Sequence, residues 1–313
     1  MRIFVTGVGG QLGHDVMNEL AKRGYEGVGS DIAPSYSGIA DGTAVTTMPY
    51  VQMDITDKAS VEKVIKEANV DAVIHCAAWT AVDAAEDEEN QPKVRLVNLT
   101  GTQNIADVCK ELDIKMLYLS TDYVFDGQGT TPWEPDCKDY KPLNVYGQTK
   151  LDGELAVSGT VDKFFIVRIA WVFGKNGKNF IKTMINLGKT HDTLSVVNDQ
   201  IGTPTYTYDL ARLLVDMIET EKYGYYHATN EGGYISWYDF TKEIFRQAAA
   251  MGHPEYLPEN MTVNSVTTAE YGASKAARPF NSRLDKSKLT ANGFTPLPTW
   301  QDALGRYLKE LDF

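Results

Sequence analysis

A doubly wound α/β fold, a parallel sheet covered by helices on both faces, is what three features of this 313-residue chain predict. Short apolar runs alternate with amphipathic stretches through the first half, and the runs are apolar nearly throughout, as strands buried on both faces must be. A glycine-rich turn joins the first strand to the first helix. Strand-to-strand crossovers in such a sheet are right-handed.

The elements follow in order. Residues Arg2–Gly7 (RIFVTG) form a β-rich run ending in glycine, and residues Gly10–Gly24 carry helical periodicity that stops at glycine. Tyr25–Asp31 reads as the second strand and Tyr50–Asp57 as the third, with a helix over Ser60–Val70 opened by Ser60. Asp71–Ala78 is the fourth strand, Val97–Asp113 a helix, and Lys115–Phe125 the fifth strand. A sixth strand over Lys163–Gly174 continues the rhythm, which then loosens. Asp209–Glu219 is a helix, Gly224–Asn230 a short strand, Ile235–Gly252 a helix started by Ser236, and the last helix begins at Thr299. No repeat or flexible linker appears. The expected organisation is a Rossmann-type domain over residues 1–171 plus about 205–230. A smaller, discontinuous substrate-binding lobe takes about 172–204 and 231–313.

Composition narrows the function. Hydrophobic residues at 43% and charged residues at 23% are ordinary for a soluble globular protein. A formal net charge of −12 argues against nucleic acid as a partner, since phosphate binding favours clustered Lys and Arg. A helix N-terminus can still hold a small anion. Cys76, Cys109 and Cys137 are too scattered for a disulfide framework or a zinc site; Cys76 and Cys109 lie in apolar runs as core thiols. No signal-like start and no run of membrane-spanning length appears, so the expectation is a cytoplasmic protein with no membrane partner.

Gly7, Gly10 and Gly13 form a G-x-x-G-x-x-G turn between the first strand and first helix. As a bare pattern this is only a flexible turn. In its strand-to-helix setting it supplies close backbone approach and free helix amides for a pyrophosphate. Asp31, closing the second strand, suits adenosine ribose hydroxyls and repels a 2′-phosphate, which favours NADH over NADPH; the rival reading is a strand-end turn residue. Asp54 stands where the adenine would lie, its rival role being a helix cap that Asp57 or Ser60 could fill instead. Tyr146 and Lys150 share one helix face, a spacing also common on solvated helices. With Thr121 at the end of strand five they gain a chemical reason. Reducing a ketone needs hydride on carbon and a proton on oxygen; a tyrosine can give that proton, and an ammonium nearby lowers its pKa from about 10. Thr121 can hydrogen-bond the carbonyl oxygen.

The segments GVGGQLG, CAAWTAVDAAE, STDYVFDG, PLNVYGQTKLDGE, RIAWVFG, VVNDQIGTPTY and RPFNSRLD run across the chain. Together they resemble the dTDP-4-dehydrorhamnose reductase family of extended short-chain dehydrogenases over essentially its whole length. The resemblance implies reduction of a dTDP-4-keto-6-deoxy sugar to dTDP-L-rhamnose with NADH or NADPH. It makes Tyr146 the proton donor, Lys150 the pKa-lowering and ribose-binding group, and Thr121 the carbonyl partner. Gly10, Gln11, Leu12, Asp31, Asp54, Ile55, Ala77, Ala78 and Trp79 match cofactor-contacting positions. Thr121, Asp122 and Trp171 match sugar-contacting ones, and Trp171 could equally be a core aromatic. Arg278 and Arg283 suit a diphosphate or are surface charges. His75 stands where many members have Asn and is assigned no chemistry, Trp79 departs from the usual side chain, and the loop before Tyr146 is longer than in some relatives. Some members bridge subunits through magnesium; Asp15 stands near one such position, and no metal is expected here. A homodimer is left open. Two other readings share the fold: a sugar-nucleotide epimerase or dehydratase, weakened because Asp122 is followed by no glutamate, and a non-catalytic regulatory subunit.

Overall fold

The computed structural model describes residues 1–40, 42–272 and 274–313. Seven parallel strands form the central sheet: β1 (Arg2–Thr6), β2 (Glu26–Asp31), β3 (Tyr50–Gln52), β4 (Ala72–His75), β5 (Lys115–Thr121), β6 (Phe164–Ile169) and β7 (Gly224–His227). Their spatial order is β7-β6-β5-β4-β1-β2-β3. The order reverses between β1 and β4, in register as Thr6 beside His75, and that switch point opens a crevice beyond the strand ends.

The helices that matter for the site are α1 (Gln11–Lys22), α2 (Lys58–Ala68), α3 (Thr102–Glu111), α4 (Val145–Thr160), α5 (Phe180–Gly188), α6 (Thr207–Ile218), α7 (Trp237–Ala250) and α8 (Trp300–Leu308). Apolar side chains cover both sheet faces. Ile3, Val5, Leu117 and Val167 pack with α1 and α6 on one side, and Phe4, Val73, Met116 and Ile166 with α2 and α3 on the other. A third apolar cluster joins Phe173, Ile185, Phe240, Phe245, Trp300 and Tyr307 in the C-terminal region.

Several strands are shorter than the sequence predicts, each for a local reason. β3 ends at Gln52 because Asp54 folds back, its carboxylate accepting from the Thr56 amide at 2.9 Å, and Asp57 rather than Ser60 caps α2 through the Ala59 and Ser60 amides. β4 ends at His75 because the Cys76 and Ala77 amides turn inward to the Thr6 hydroxyl at 3.2 and 3.1 Å. β5 ends at Thr121, which opens a 3-10 turn over Asp122–Val124. β6 ends at Ile169 because Trp171 adopts φ +52°, a conformation an L residue adopts only at a cost of about 1–2 kcal/mol. Val172–Phe173 therefore leaves the sheet and pairs with Thr205–Tyr206. The helix expected from Val97 begins instead at Gln91 and passes through a π-helical stretch, Leu96–Gly101, before α3.

Candidate active site

A cleft of about 920 Å³ runs over the carboxyl ends of the strands. Its lining brings together Gly7, Gly10, Gln11, Leu12 and Gly13 with Asp31, Asp54, Ile55, Ala77, Ala78 and Trp79. Thr121, Asp122, Tyr146, Lys150 and Trp171 lie on the same surface. Residues far apart in the chain therefore share one wall.

At one end, Gly10 stands at the N-cap of α1, so the helix has no side-chain cap, and its first turn holds no acidic residue. Its leading amides are open to an anion, and the helix dipole favours one. Gly7 has φ +70°, and a Cβ there would lie 2.7 Å from the Ala77 nitrogen; one at Gly13 would lie 2.4 Å from the Gly7 oxygen. The loop therefore packs too closely for any side chain, leaving bare backbone toward the cleft. Asp31 accepts from the Gly9 amide at 2.9 Å and the Ile32 amide at 2.8 Å, so its carboxylate is fixed at the rim. Donor amides, a glycine cradle and a carboxylate at the second strand fit a dinucleotide.

At the other end stands α4. Asn144 caps it, accepting from the Gly147 amide at 2.7 Å, a contact worth about 1 kcal/mol, and donates to the Ala277 carbonyl at 2.8 Å. Glu86 accepts from the Val145 amide at 2.8 Å. Two glycines let this helix sit hard against β5 and the 3-10 turn after it: a Cβ at Gly147 would lie 2.4 Å from the Tyr123 carbonyl oxygen, and one at Gly153 would lie 2.3 Å from the Tyr118 hydroxyl. Lys150 is pressed inward, 3% exposed; its ammonium donates to the Leu119 carbonyl at 2.7 Å and lies 4.1 Å from the centre of the Tyr118 ring. Burial lowers its pKa to about 7, against a smaller opposing pull from Glu154.

Tyr146 reverses one expectation. Its hydroxyl is pushed above the ordinary tyrosine value, chiefly by burial; a hydrogen bond with Thr121 pulls it back, and Asp122 and Tyr123 push it further up. The net shift is upward rather than downward, with the Lys150 ammonium turned to the Leu119 carbonyl and itself desolvated. The phenol is thus kept protonated. Thr121 donates to Asp122 at 2.9 Å and accepts from the Tyr123 amide at 3.2 Å. Asp122 is 2% exposed, and burial raises its carboxyl to about 6 although Ser282 and Thr121 hydrogen-bond it.

Two predicted residues lie off the cleft. Arg278 binds Asp83 at 2.7 Å and the Tyr123 hydroxyl at 3.2 Å, and Arg283 donates to Asn281 at 3.0 Å. His75 is buried and neutral, desolvation lowering its pKa to about 3, and it bridges Thr6 at 2.7 Å and Thr102 at 3.2 Å. Two residues that sequence reasoning passed over hold or line the cleft. Asn98, in the π-helical stretch, accepts from the Trp79 amide at 2.8 Å and donates to the Trp79 carbonyl at 3.3 Å, clamping that loop; a buried Asn inside an amphipathic helix was its only signal. Trp237, the first residue of α7, stacks on Trp171 with centroids 3.7 Å apart; its place just after the Ser236 cap was the available sign. Among the described residues no group of three or more His, Cys, Asp or Glu is placed to hold a metal.

A crevice at the switch point of a parallel sheet, glycine-walled at one end and bearing a Tyr and a Lys from one helix at the other, is built on the plan of the short-chain dehydrogenases. The chain matches the family described as RmlD substrate binding domain over residues 1–313. It is 38% identical over 311 residues to a dTDP-4-dehydrorhamnose reductase of Aggregatibacter actinomycetemcomitans, covering 97% of each, and 38% identical to one of Streptomyces griseus, covering 97% of this chain and 91% of that protein. The structure of a dTDP-4-dehydrorhamnose reductase from Bacillus anthracis in complex with NADP superposes with a TM-score of 0.85 at 36% identity, covering 99% of both chains. The chain belongs to the dTDP-4-dehydrorhamnose reductase family.

Proposed function

We propose that this protein reduces the 4-keto group of dTDP-4-dehydrorhamnose to give dTDP-L-rhamnose, using a reduced nicotinamide dinucleotide. The observation that carries the reading is the convergence of Thr121, Tyr146 and Lys150 on the cleft that the glycine loop opens. When bound, the dinucleotide supplies hydride to the carbonyl carbon. The first-turn amides of α1 hold its pyrophosphate, Asp31 its adenosine ribose, and Asp54 and Ile55 its adenine end, while Ala77, Ala78 and Trp79 line the nicotinamide end.

Tyr146 gives the proton to the carbonyl oxygen. Burial keeps the phenol protonated, as a donor must be, and the alkoxide formed is a far stronger base than phenolate, so the transfer stays downhill although the raised pKa makes Tyr146 a weaker acid. Thr121 rotates its hydroxyl from Asp122 to the carbonyl oxygen and fixes the ketone beside the phenol. Lys150 uses one donor on Leu119, and its remaining N–H groups serve ribose hydroxyls and stabilise the phenolate left behind. Asp122 and Trp171 contact the sugar, within a lobe formed by about 172–204 and 231–313. Asp31 favours NADH, and residues 32–57 contain no Lys or Arg to meet a 2′-phosphate. Three free thiols accord with a cytoplasmic setting.

The test is cofactor oxidation across several 4-keto-6-deoxy sugar nucleotides. A reductase consumes NADH or NADPH stoichiometrically; an epimerase returns the hydride and shows no net change, and that outcome would overturn the reading. Absence of turnover with every sugar nucleotide, together with capture of a partner enzyme, would indicate a regulatory subunit instead.

A further inference from the structure

Trp171 is held in an uncommon state. It has φ +52°, in the left-handed region that bulky residues rarely enter, and nothing in the chain's covalent order demands it. The surrounding backbone over-determines it: Thr205 donates its amide to the Trp171 carbonyl at 3.1 Å and its hydroxyl to the Ala170 carbonyl at 2.6 Å. The indole edge lies over Gly202, where a Cβ would come within 2.9 Å of the ring. One face of the ring is covered by Trp237 at 3.7 Å with an interplanar angle of 15°, and Trp237 in turn rests on Phe180 at 4.5 Å. Trp237 is fixed at the head of α7 by the capping box between Ser236 and Asp239. Both indoles line the cleft, on the same wall as Asp122 and Tyr146.

We infer that Trp237 is a positioning residue for the sugar end of the site: it braces the strained Trp171 indole so that the pair presents one rigid aromatic wall to the carbon-rich face of a deoxyhexose ring. Aromatic rings suit such a face because C–H groups and a ring methyl need no hydrogen-bond partner there, while the polar groups on Asp122, Thr121 and Tyr146 meet the hydroxyls and the ketone. Trp237 reaches the sugar through Trp171 and takes no part in proton or hydride transfer. The inference rests on the keto-sugar reading above and adds to it the device that holds the ring.

The test is steady-state kinetics of Trp237→Leu and Trp237→Phe, with NADH and the keto-sugar nucleotide varied separately. Trp237→Leu should raise the KM for the sugar nucleotide about tenfold, the effect of losing one stacked aromatic pair, while the KM for NADH stays within about twofold. Trp237→Phe, which keeps a stacking face, should recover most of that loss. Quenching of tryptophan fluorescence by the sugar nucleotide should weaken in Trp237→Leu, and quenching by NADH should not. If Trp237→Leu fails to fold, Trp237→Phe alone decides, by a sugar KM raised about two- to threefold with NADH KM unchanged. An unchanged sugar KM in both variants, or sugar and NADH KM values rising together, would overturn the inference. Wild-type protein that oxidises no cofactor with any keto-sugar nucleotide would overturn the underlying reading instead.

Discussion

Lys150 and Glu154 project from neighbouring turns of α4, both buried, and the chain treats their charges in opposite ways. Glu154 is fully matched: Arg168 on β6 donates to both its oxygens at 2.8 and 2.7 Å, and the same guanidinium reaches the Pro135 carbonyl at 3.0 Å and the Tyr140 hydroxyl at 3.1 Å. Phe125, Tyr140 and Tyr225 surround it with ring faces. Lys150 has only a carbonyl and the face of Tyr118, and among the described residues no carboxylate pairs with it. One buried charge fastens the helix to the sheet. The other has no ion-pair partner among the described residues and stands at the cleft, with only a weaker pull from Glu154 to offset its burial. A helix can therefore carry a costly functional charge when a satisfied ion pair one turn along secures it.

The largest change should come from breaking the matched side. Glu154→Gln leaves Arg168 buried without a counter-charge and should lower unfolding free energy by about 3–5 kcal/mol in a denaturant titration. A loss below about 1 kcal/mol would mean that the pair does not anchor α4.

Lys150→Met sharpens the contrast, since it should cost activity and add stability. Turnover should fall at least about a hundredfold. The folded-state pKa of Lys150, about 7, is depressed from the ordinary 10.5, so the unfolded chain holds the proton over that interval and the folded protein does not. The penalty for burying the ammonium is full below pH 7 and fades as pH rises toward 10.5. The variant should therefore be more stable than wild type by about 1–3 kcal/mol at pH 6, with the advantage shrinking by pH 10. Unfolding midpoints across pH check both the sign and the window.

At the dinucleotide end the effect is smaller. Asp31→Ser removes the carboxylate proposed to meet the ribose and should shift the NADPH-to-NADH preference by about tenfold toward NADPH, read as a ratio of kcat/KM values. The smallest effect concerns Asp122. Its carboxyl, raised to about 6, ionises in the working range, and the carboxylate raises the pKa of Tyr146, making it a weaker acid. Turnover in wild type should fall by about two- to threefold as pH rises through 6, and Asp122→Asn should erase that step in the pH profile.

The sheet and the placement of Tyr146 and Lys150 at the cleft were legible because their signals are local: apolar runs, a glycine turn, and a Tyr and Lys on one face of a helix. Asp31 and Thr121 follow from where a parallel strand ends, and Asp122 from the family resemblance. What the chain hides is set by long-range packing. The φ +52° at Trp171 depends on Thr205 and Gly202, so the kink that ends β6 is invisible in a run that reads as continuous strand. Arg278 looks free in sequence, yet Asp83 and Tyr123 meet it only in the folded molecule. The upward direction of the Tyr146 pKa is hidden for the same reason, because it comes chiefly from burial in the folded molecule, which the spacing on α4 does not show.

The most direct test of the account is the turnover of Tyr146→Phe with dTDP-4-dehydrorhamnose, measured beside its NADH affinity and melting temperature. The account predicts kcat reduced at least about a hundredfold, with cofactor binding and melting temperature close to wild type. Turnover within about threefold of wild type would contradict it, since some other group would then be delivering the proton.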